Sequence, residues 1–333
     1  MGVALREILG EYREEVELEE LRGTIAVDAF NALYQFLTII RQPDGTPLMD
    51  KDGRVTSHLS GIFFRNLNFL EKGIRPAYIF DGAPPDLKTE TVARRRGVRE
   101  AAGERWKEAV ERGDIEEAYK QARASTRIDD AMIASSKRLL DLMGIPWMVA
   151  PSEGEAQAAF MARQGDVGAA ASQDYDALLF GAPRLVRNLT VSGKRKVRGR
   201  SVTVRPERID LAAVLAGLGL SREELVEIGI LIGTDFNPGI RGVGAKTALK
   251  IVRGGKFQET VQEKAPDFDP GPVQEFFLNP PVTGDYRLEW REPDRDGIVA
   301  MLCGEYTFSE GRIDAGLQKI GAKAGQRTLG DWF

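Results

Sequence analysis

Short apolar runs alternate with longer amphipathic ones along this chain, in a regular order. The opening residues predict a first helix. Thr24-Ile-Ala-Val-Asp28 is short and uniformly apolar, and predicts a buried strand that ends on an acid. Ala29 to Ile40 carries apolar residues at helical spacing, and after the turn-rich Gln42-Pro-Asp-Gly-Thr-Pro47 a second helix is predicted from Thr56 to Lys72. Pro76 to Phe80 reads as the next buried strand, followed by Asp81-Gly82 and a break at Pro84-Pro85. A third round has a helix over Asp129–Met143, a strand over Ile145–Ala150 and an alanine-rich helix opened by Ser152-Glu-Gly-Glu155. Gly168 to Ser172 predicts a fourth strand, released into Gln173-Asp-Tyr-Asp176. Leu185–Val191 and Ser201–Val204 read as a hairpin around the basic Ser192-Gly-Lys-Arg-Lys196, and helix dominates from Arg222 to Val252.

Strands alternating with helices predict an α/β fold with a central, mostly parallel twisted sheet flanked by helices. Residues 86–127 are highly charged and helix-prone, interrupted by Gly97, Gly103 and Gly113, and read as helices projecting from the body. From about Lys319 the tail is rich in Gly, Ala and Lys and reads as flexible until its last residues.

In such folds ligands gather beyond the carboxyl ends of the strands. Asp28, Asp81, Glu153 with Glu155, and Asp174 with Asp176 all fall there. An Asp after a strand is often only a turn residue. Ser152 and Glu155 also have the spacing of a capping box, which accounts equally well for that acid pair taken alone. Six acids at one sheet edge, however, would repel one another strongly unless cations lay between them. The convergence therefore points to hard divalent cations, which prefer oxygen ligands. Asp235 joins by another route, after the apolar run Leu225–Ile232. It precedes Gly242-Val-Gly244-Ala-Lys246, where glycines before a helix N-terminus offer backbone N–H groups to a phosphate. That pattern resembles a helix-hairpin-helix duplex-binding motif.

Composition narrows the classes. The chain has 333 residues, 42% hydrophobic and 29% charged, as in an ordinary globular protein. No apolar run approaches bilayer length, and the acidic N-terminus is unlike a leader peptide. Arg6 stands where a myristoylation signal needs Ser or Thr. With Cys303 the one cysteine and His58 the one histidine, an internal disulfide, a cysteine-based zinc site and a histidine-rich metal site are excluded. His58 reads as a local structural residue of its helix. The net charge of −4 hides segregation: nine basic residues and one acid fall between Gly181 and Arg208. That distribution suits a protein gripping phosphates on one face.

The motifs together are similar to those of the flap endonucleases, structure-specific 5′ nucleases of replication and repair. They are Val27-Asp28-Ala29 with Tyr34, Phe80-Asp81-Gly82-Ala-Pro-Pro85, Ala150-Pro-Ser-Glu153-Gly-Glu155-Ala-Gln-Ala, Ser172-Gln-Asp174-Tyr-Asp176, and Gly233-Thr-Asp235-Phe joined to Gly239-Ile-Arg-Gly-Val-Gly244. The resemblance covers essentially the full length. It implies that the seven acids hold two Mg²⁺ ions, with Mn²⁺ able to substitute, and that Lys88 and Arg95, in a helical gateway over about 86–127, contact the scissile phosphate. On charge alone those two would read as a solvated helix face. Tyr34 matches the aromatic that stacks on a base beside the cut, and Gly2 an N-terminal glycine near the site. Phe236 departs from the tyrosine of many relatives, keeping an aromatic surface but losing a hydroxyl. The implied substrate is DNA with a 5′ flap, gripped without sequence reading by Lys194, Arg195 and Lys196 and by Arg241, Gly242, Gly244 and Lys246.

Gln326, Leu329, Trp332 and Phe333 resemble the peptide by which replication proteins bind a sliding clamp; docking onto the chain's own domain is the other reading. The organisation expected is one nuclease domain over 1–318, with the duplex-binding region at about 225–254, and a clamp-binding tail over 319–333. A monomer without a membrane partner is expected. The short tail, without the basic extension of eukaryotic relatives, looks archaeal and implies a cytoplasmic, nucleoid-associated enzyme. Two other classes compete. In a non-catalytic junction scaffold the acids would oppose DNA binding without benefit. A magnesium phosphatase using Asp-x-Asp would leave the glycine turn, basic hairpin and tail unused.

Overall fold

In the computed structural model, residues 3–42, 45–88, 97–98, 100–106, 108–109, 112, 114–197 and 200–324 are described. The sheet has seven strands in the order β1 (Glu14–Glu15), β9 (Glu207–Asp210), β6 (Arg184–Arg187), β5 (Ala169–Ala171), β2 (Gly23–Asp28), β3 (Ile74–Phe80) and β4 (Trp147–Val149). The five from β6 to β4 run parallel, whereas β9 pairs antiparallel with both β6 and β1. Each central strand is apolar on both faces, as a sheet covered by helices on both sides requires. Ile25 and Val27 face one core with Tyr78, Phe80 and Ala171, while Ala26, Ile79 and Ala170 face the other. The expected α/β architecture is the one found.

Helices cover the two faces. On the first, α2 (Ala29–Ile39) and α3 (Ser57–Glu71) pack with α5 (Asp130–Leu142), numbering α1 as Arg6–Leu9 and α4 as Ile115–Ala124. On the second lie α6 (Gly154–Gln164), α7 (Asp176–Leu179), α8 (Leu211–Leu218), α9 (Arg222–Ile232) and α10 (Ala245–Arg253). A buried bolt joins sheet to helix: Tyr78 Oη donates to Asn66 Oδ1 at 3.1 Å, and Asn66 Nδ2 to Ile62 O at 2.8 Å. The last described helix spans Glu310–Ala324 with Ile313 and Leu317 buried, so the boundary expected at 318 falls inside it. Among the described residues no helix is long and apolar enough to cross a membrane.

The basic hairpin differs from the reading of the sequence. Its strands are β7 (Gly193–Val197) and β8 (Arg200–Val204), whereas Arg184–Arg187 belongs to the main sheet and pairs with Glu207–Asp210. Leu185 and Val186 are fully buried, and their apolar side chains drew that strand into the core. Lys194, Arg195 and Lys196 therefore lie along a strand and not at the turn.

Gly82 sets how closely the ends of β3 and β4 approach. Its N–H donates to Ser152 O at 2.7 Å, and a Cβ there would lie 2.0 Å from Ala150 O. That oxygen is backbone and has no side-chain freedom with which to retreat. Gly82→Ala is expected to lower the melting temperature by about 4 °C or more, the equivalent of roughly 2 kcal/mol in a chain of this size. An unchanged melting temperature would contradict the packing described.

Candidate active site

Four strand ends and one loop deliver the acids. Asp28 closes β2 and also caps α2, its Oδ1 accepting the Asn31 N–H at 2.9 Å. Asp81 follows β3, and its Oδ1 accepts the N–H of Gly154, the first residue of α6, at 2.7 Å. An acid from the neighbouring strand thus satisfies this helix start. The capping box expected of Ser152 and Glu155 does not form: Glu153 is the N-cap without a side-chain capping bond, and Ser152 Oγ is buried without a partner among the described residues. Asp176 opens α7 and accepts the Val3 N–H at 2.8 Å, which brings the N-terminal segment to the site.

Asp235 lies in the loop after α9, held by a buried network that sequence reasoning missed. Thr234 Oγ1 and Asn237 Oδ1 are 2.8 Å apart, Phe236 N–H donates to Thr234 Oγ1 at 3.0 Å, and Asn237 Nδ2 donates to Ile230 O at 2.8 Å. Phe236 offers no free aromatic surface. Its ring is buried against Phe276 and Phe277, at 4.7 and 5.3 Å, with Lys88 Nζ 5.9 Å from its centroid.

The acids feel one another's charge. Burial, and then the Asp81 carboxylate, push the Asp28 carboxyl well above the usual range. Burial and the Asp176 charge do the same to Glu155. Burial and the Asp174 charge push Asp176 up to about 7. Asp81 and Glu153 are raised, chiefly by burial, and the Asp235 charge adds to both. A cation sits within the cluster. Lys88 Nζ donates to Glu153 Oε2 at 2.7 Å and lies 3.9 Å from Asp235 Oδ2. Burial opposes the Lys88 charge, yet Glu153 and the other acids outweigh it and push its pKa up.

The donor set is all oxygen, and Glu155 Oε1 is buried without a hydrogen-bond partner among the described residues. A buried carboxylate oxygen left in that state fits a hard cation. The fit rests on that oxygen and on donor chemistry. No three acids among the described residues converge tightly enough to make a ready-formed ion cage. Mutual repulsion and the pull of Lys88 on Glu153 both oppose closer approach.

Other expected site residues fall around this cluster. Tyr34 is exposed on α2. Arg241, Gly242, Gly244 and Lys246 are exposed at the start of α10, where Gly242 has φ +82° and Gly244 is the N-cap. His58 is the structural residue expected: buried, with Nε2 3.0 Å from Ser135 Oγ and its pKa pushed down to about 4 by burial. Gly2, Arg95, Gln326, Leu329, Trp332 and Phe333 lie outside the described residues, as do the side chains of Lys194, Arg195 and Lys196.

Known proteins resemble this chain in sequence and fold. The XPG N-terminal domain matches residues 1–102 and the XPG I-region residues 144–235. Flap endonuclease 1 of Methanoculleus marisnigri is 65% identical over 333 residues, 100% of both chains. That of Pyrococcus furiosus is 56% identical over 340 aligned residues, 100% of this chain and 99% of that one. Among solved structures, flap endonuclease-1 from Methanococcus jannaschii is similar with a TM-score of 0.76 and 40% identity, over 96% of this chain and 99% of that one. The catalytic core of Rad2 in complex with DNA substrate is similar with a TM-score of 0.71 and 25% identity, over 96% and 100%.

The raised acids carry a stability cost whose sign is fixed. The folded protein holds the Asp176 proton up to about pH 7, whereas an unperturbed carboxyl releases it near 3.8. Stability therefore falls as pH rises through that window. Asp176→Asn removes the charge and keeps an oxygen for Val3. In EDTA at pH 8 it is expected to raise the melting temperature by about 2–5 °C, with the gain shrinking at pH 5. A lower melting temperature at pH 8 would show that the acids do not strain the fold.

Proposed function

The chain belongs to the flap endonuclease family, and on that premise we propose that it cuts DNA where a displaced 5′ single strand meets duplex, with its seven acids holding two Mg²⁺ ions. The chain is a 5′ nuclease. The observation that carries the proposal is the gathering of acids at one sheet edge: Asp28 and Asp81 at the ends of paired strands, Asp81 bonded to the helix start beside Glu153 and Glu155, and Lys88 lying between Glu153 and Asp235. A carboxylate cluster raised by burial and mutual charge opposes a polyanion unless cations neutralise it. A junction-binding scaffold would have no use for such a cluster.

Asp28, Asp81, Glu153, Glu155, Asp174, Asp176 and Asp235 are the residues that would hold the ions, and Mn²⁺ would substitute for Mg²⁺. When bound there, such ions would supply an acidified water and charge stabilisation of the leaving oxygen. Lys88 brings an ammonium that already sits among the acids, and Arg95 would add a planar guanidinium to the same phosphate. Asp81 fixes the start of α6 and so fixes where Glu153 and Glu155 stand. Tyr34 offers an exposed ring on which a base beside the cut can stack.

Duplex would be held at two places, on Lys194–Lys196 along β7 and at the exposed N-terminus of α10. At α10, Gly244 leaves backbone N–H groups open and Lys246 adds charge. These elements would grip backbone, so junction shape selects the substrate. Gln326, Leu329, Trp332 and Phe333 would dock on a sliding clamp and bring a monomeric enzyme to replicating DNA.

Two experiments test this. A labelled 5′ flap, a plain duplex and a phosphomonoester are incubated with Mg²⁺ or EDTA. Only the flap should be cut, only with metal, and Asp174→Ala should lose cleavage while still binding the flap. Phosphomonoester hydrolysis at a comparable rate would make the chain a phosphatase instead. Neutralising Lys194, Arg195 and Lys196 together should flatten the dependence of log affinity on log salt by about 0.9 for each phosphate no longer neutralised. An unchanged slope would remove the hairpin from the interface.

A further inference from the structure

The turn that bears Asp174 and Asp176 is gripped from outside the acid cluster by one side chain. Arg187, at the end of β6, donates from Nε to Gln173 O at 3.0 Å and from Nη1 to Tyr175 Oη at 2.7 Å. Its guanidinium carbon also lies 4.3 Å from the Tyr175 ring centroid. The two residues it holds flank Asp174, and Tyr175 separates Asp174 from Asp176. On the other side, Gln173 N–H donates to Asn31 Oδ1 at 3.3 Å, while the Asn31 N–H serves Asp28. Both backbone groups of Gln173 are thereby taken, one by the helix that Asp28 caps and one by Arg187.

The charge of Arg187 is balanced on the sheet. Glu207, its cross-strand partner on β9, accepts from Nη1 at 2.9 Å and also pairs with Arg13 at 3.5 Å. That ion pair is three-quarters or more shielded from solvent on both sides, so it fixes the guanidinium firmly against β9. What Arg187 offers the turn is geometry: a planar fork whose Nη1 is shared by Glu207 on the sheet and Tyr175 and whose Nε holds Gln173.

We propose that Arg187 is a positioning residue for cleavage, setting the spacing and direction of Asp174 and Asp176 through Gln173 and Tyr175 so that both carboxylates reach one metal pair. This rests on the acids being the metal ligands, as proposed above. Groups that orient ligands from behind typically contribute about 10–100-fold to metal affinity or activity.

The test compares Arg187→Met, Arg187→Lys, Tyr175→Phe and Asp174→Ala in the full chain. Mn²⁺ binding to the free enzyme is read from thermal stabilisation, flap affinity and its salt slope are measured in EDTA, and kcat and KM are measured with Mg²⁺. Arg187→Met should raise the Mn²⁺ half-saturation and lower kcat, each by about 10-fold or more. KM, flap affinity and salt slope should stay within about twofold, since the variant takes no charge from the phosphate-binding surfaces. Arg187→Lys should recover little, because an ammonium cannot hold both partners at once. Tyr175→Phe, which removes only the hydroxyl, should move kcat and Mn²⁺ binding the same way by about threefold, at the scale of one neutral hydrogen bond. It also serves if Arg187→Met does not fold. Full recovery by lysine would assign the effect to charge, and weakened flap binding with a flatter salt slope would make Arg187 a DNA-binding residue; either overturns the proposal. If Asp174→Ala leaves Mn²⁺ binding intact, the reading of the acids fails. If Asp174→Ala loses it while Arg187→Met and Tyr175→Phe do not, the positioning role alone fails.

Discussion

Repulsion among buried and half-buried carboxylates at one sheet edge is the constraint to which the rest of this structure answers. Water would screen such charges; here burial removes much of that screening and raises Asp28, Asp81, Glu153, Glu155 and Asp176 together. A fold tolerates this only if the backbone carrying the acids is over-determined. The parallel sheet supplies the first part. Asp28 ends β2 and Asp81 follows β3, and the register that pairs Asp28 with Ile79 places both acids at one edge.

The second part consists of hydrogen bonds that reach between elements. Asp81 holds the start of α6, Val3 holds Asp176, and Thr234 with Asn237 shapes the loop of Asp235. Lys88 brings a cation into the cluster, bonded to Glu153, and its raised pKa keeps it charged there. The same residue therefore offsets part of the repulsion and, in the proposed reaction, would offer positive charge to a phosphate. The fold gives up stability to keep these acids close to one another.

Much of this was legible in the sequence because its signals are local. Apolar runs that end in acids gave the strand ends, and the rule that ligands gather at those ends turned separate acids into a place. The misreadings have a physical cause too. β7 and β8 hold a basic hairpin with little apolar alternation, so the run Leu185–Val186 was paired with the wrong partner, when Ile209 on β9 was the core residue facing it. The capping box failed because its competitor, Asp81, lies 73 positions away from the N–H it satisfies. Asn31, Arg187 and Asn237 carry no motif of their own, since each acts through contacts that only the folded chain brings together. Phe236 keeps its aromatic face but packs it against Phe276 and Phe277, a contact that the sequence does not reveal.

The central claim is that these acids make one two-ion site. Anomalous diffraction from crystals of this protein equilibrated with Mn²⁺ tests it most directly. The account predicts two peaks about 4 Å apart, bounded by carboxylate oxygens of Asp28, Asp81, Glu153, Glu155, Asp174, Asp176 and Asp235, with Glu155 Oε1 turned toward an ion. A single peak outside this cluster, or none with the acids still paired to Lys88 and to backbone N–H groups, would contradict it.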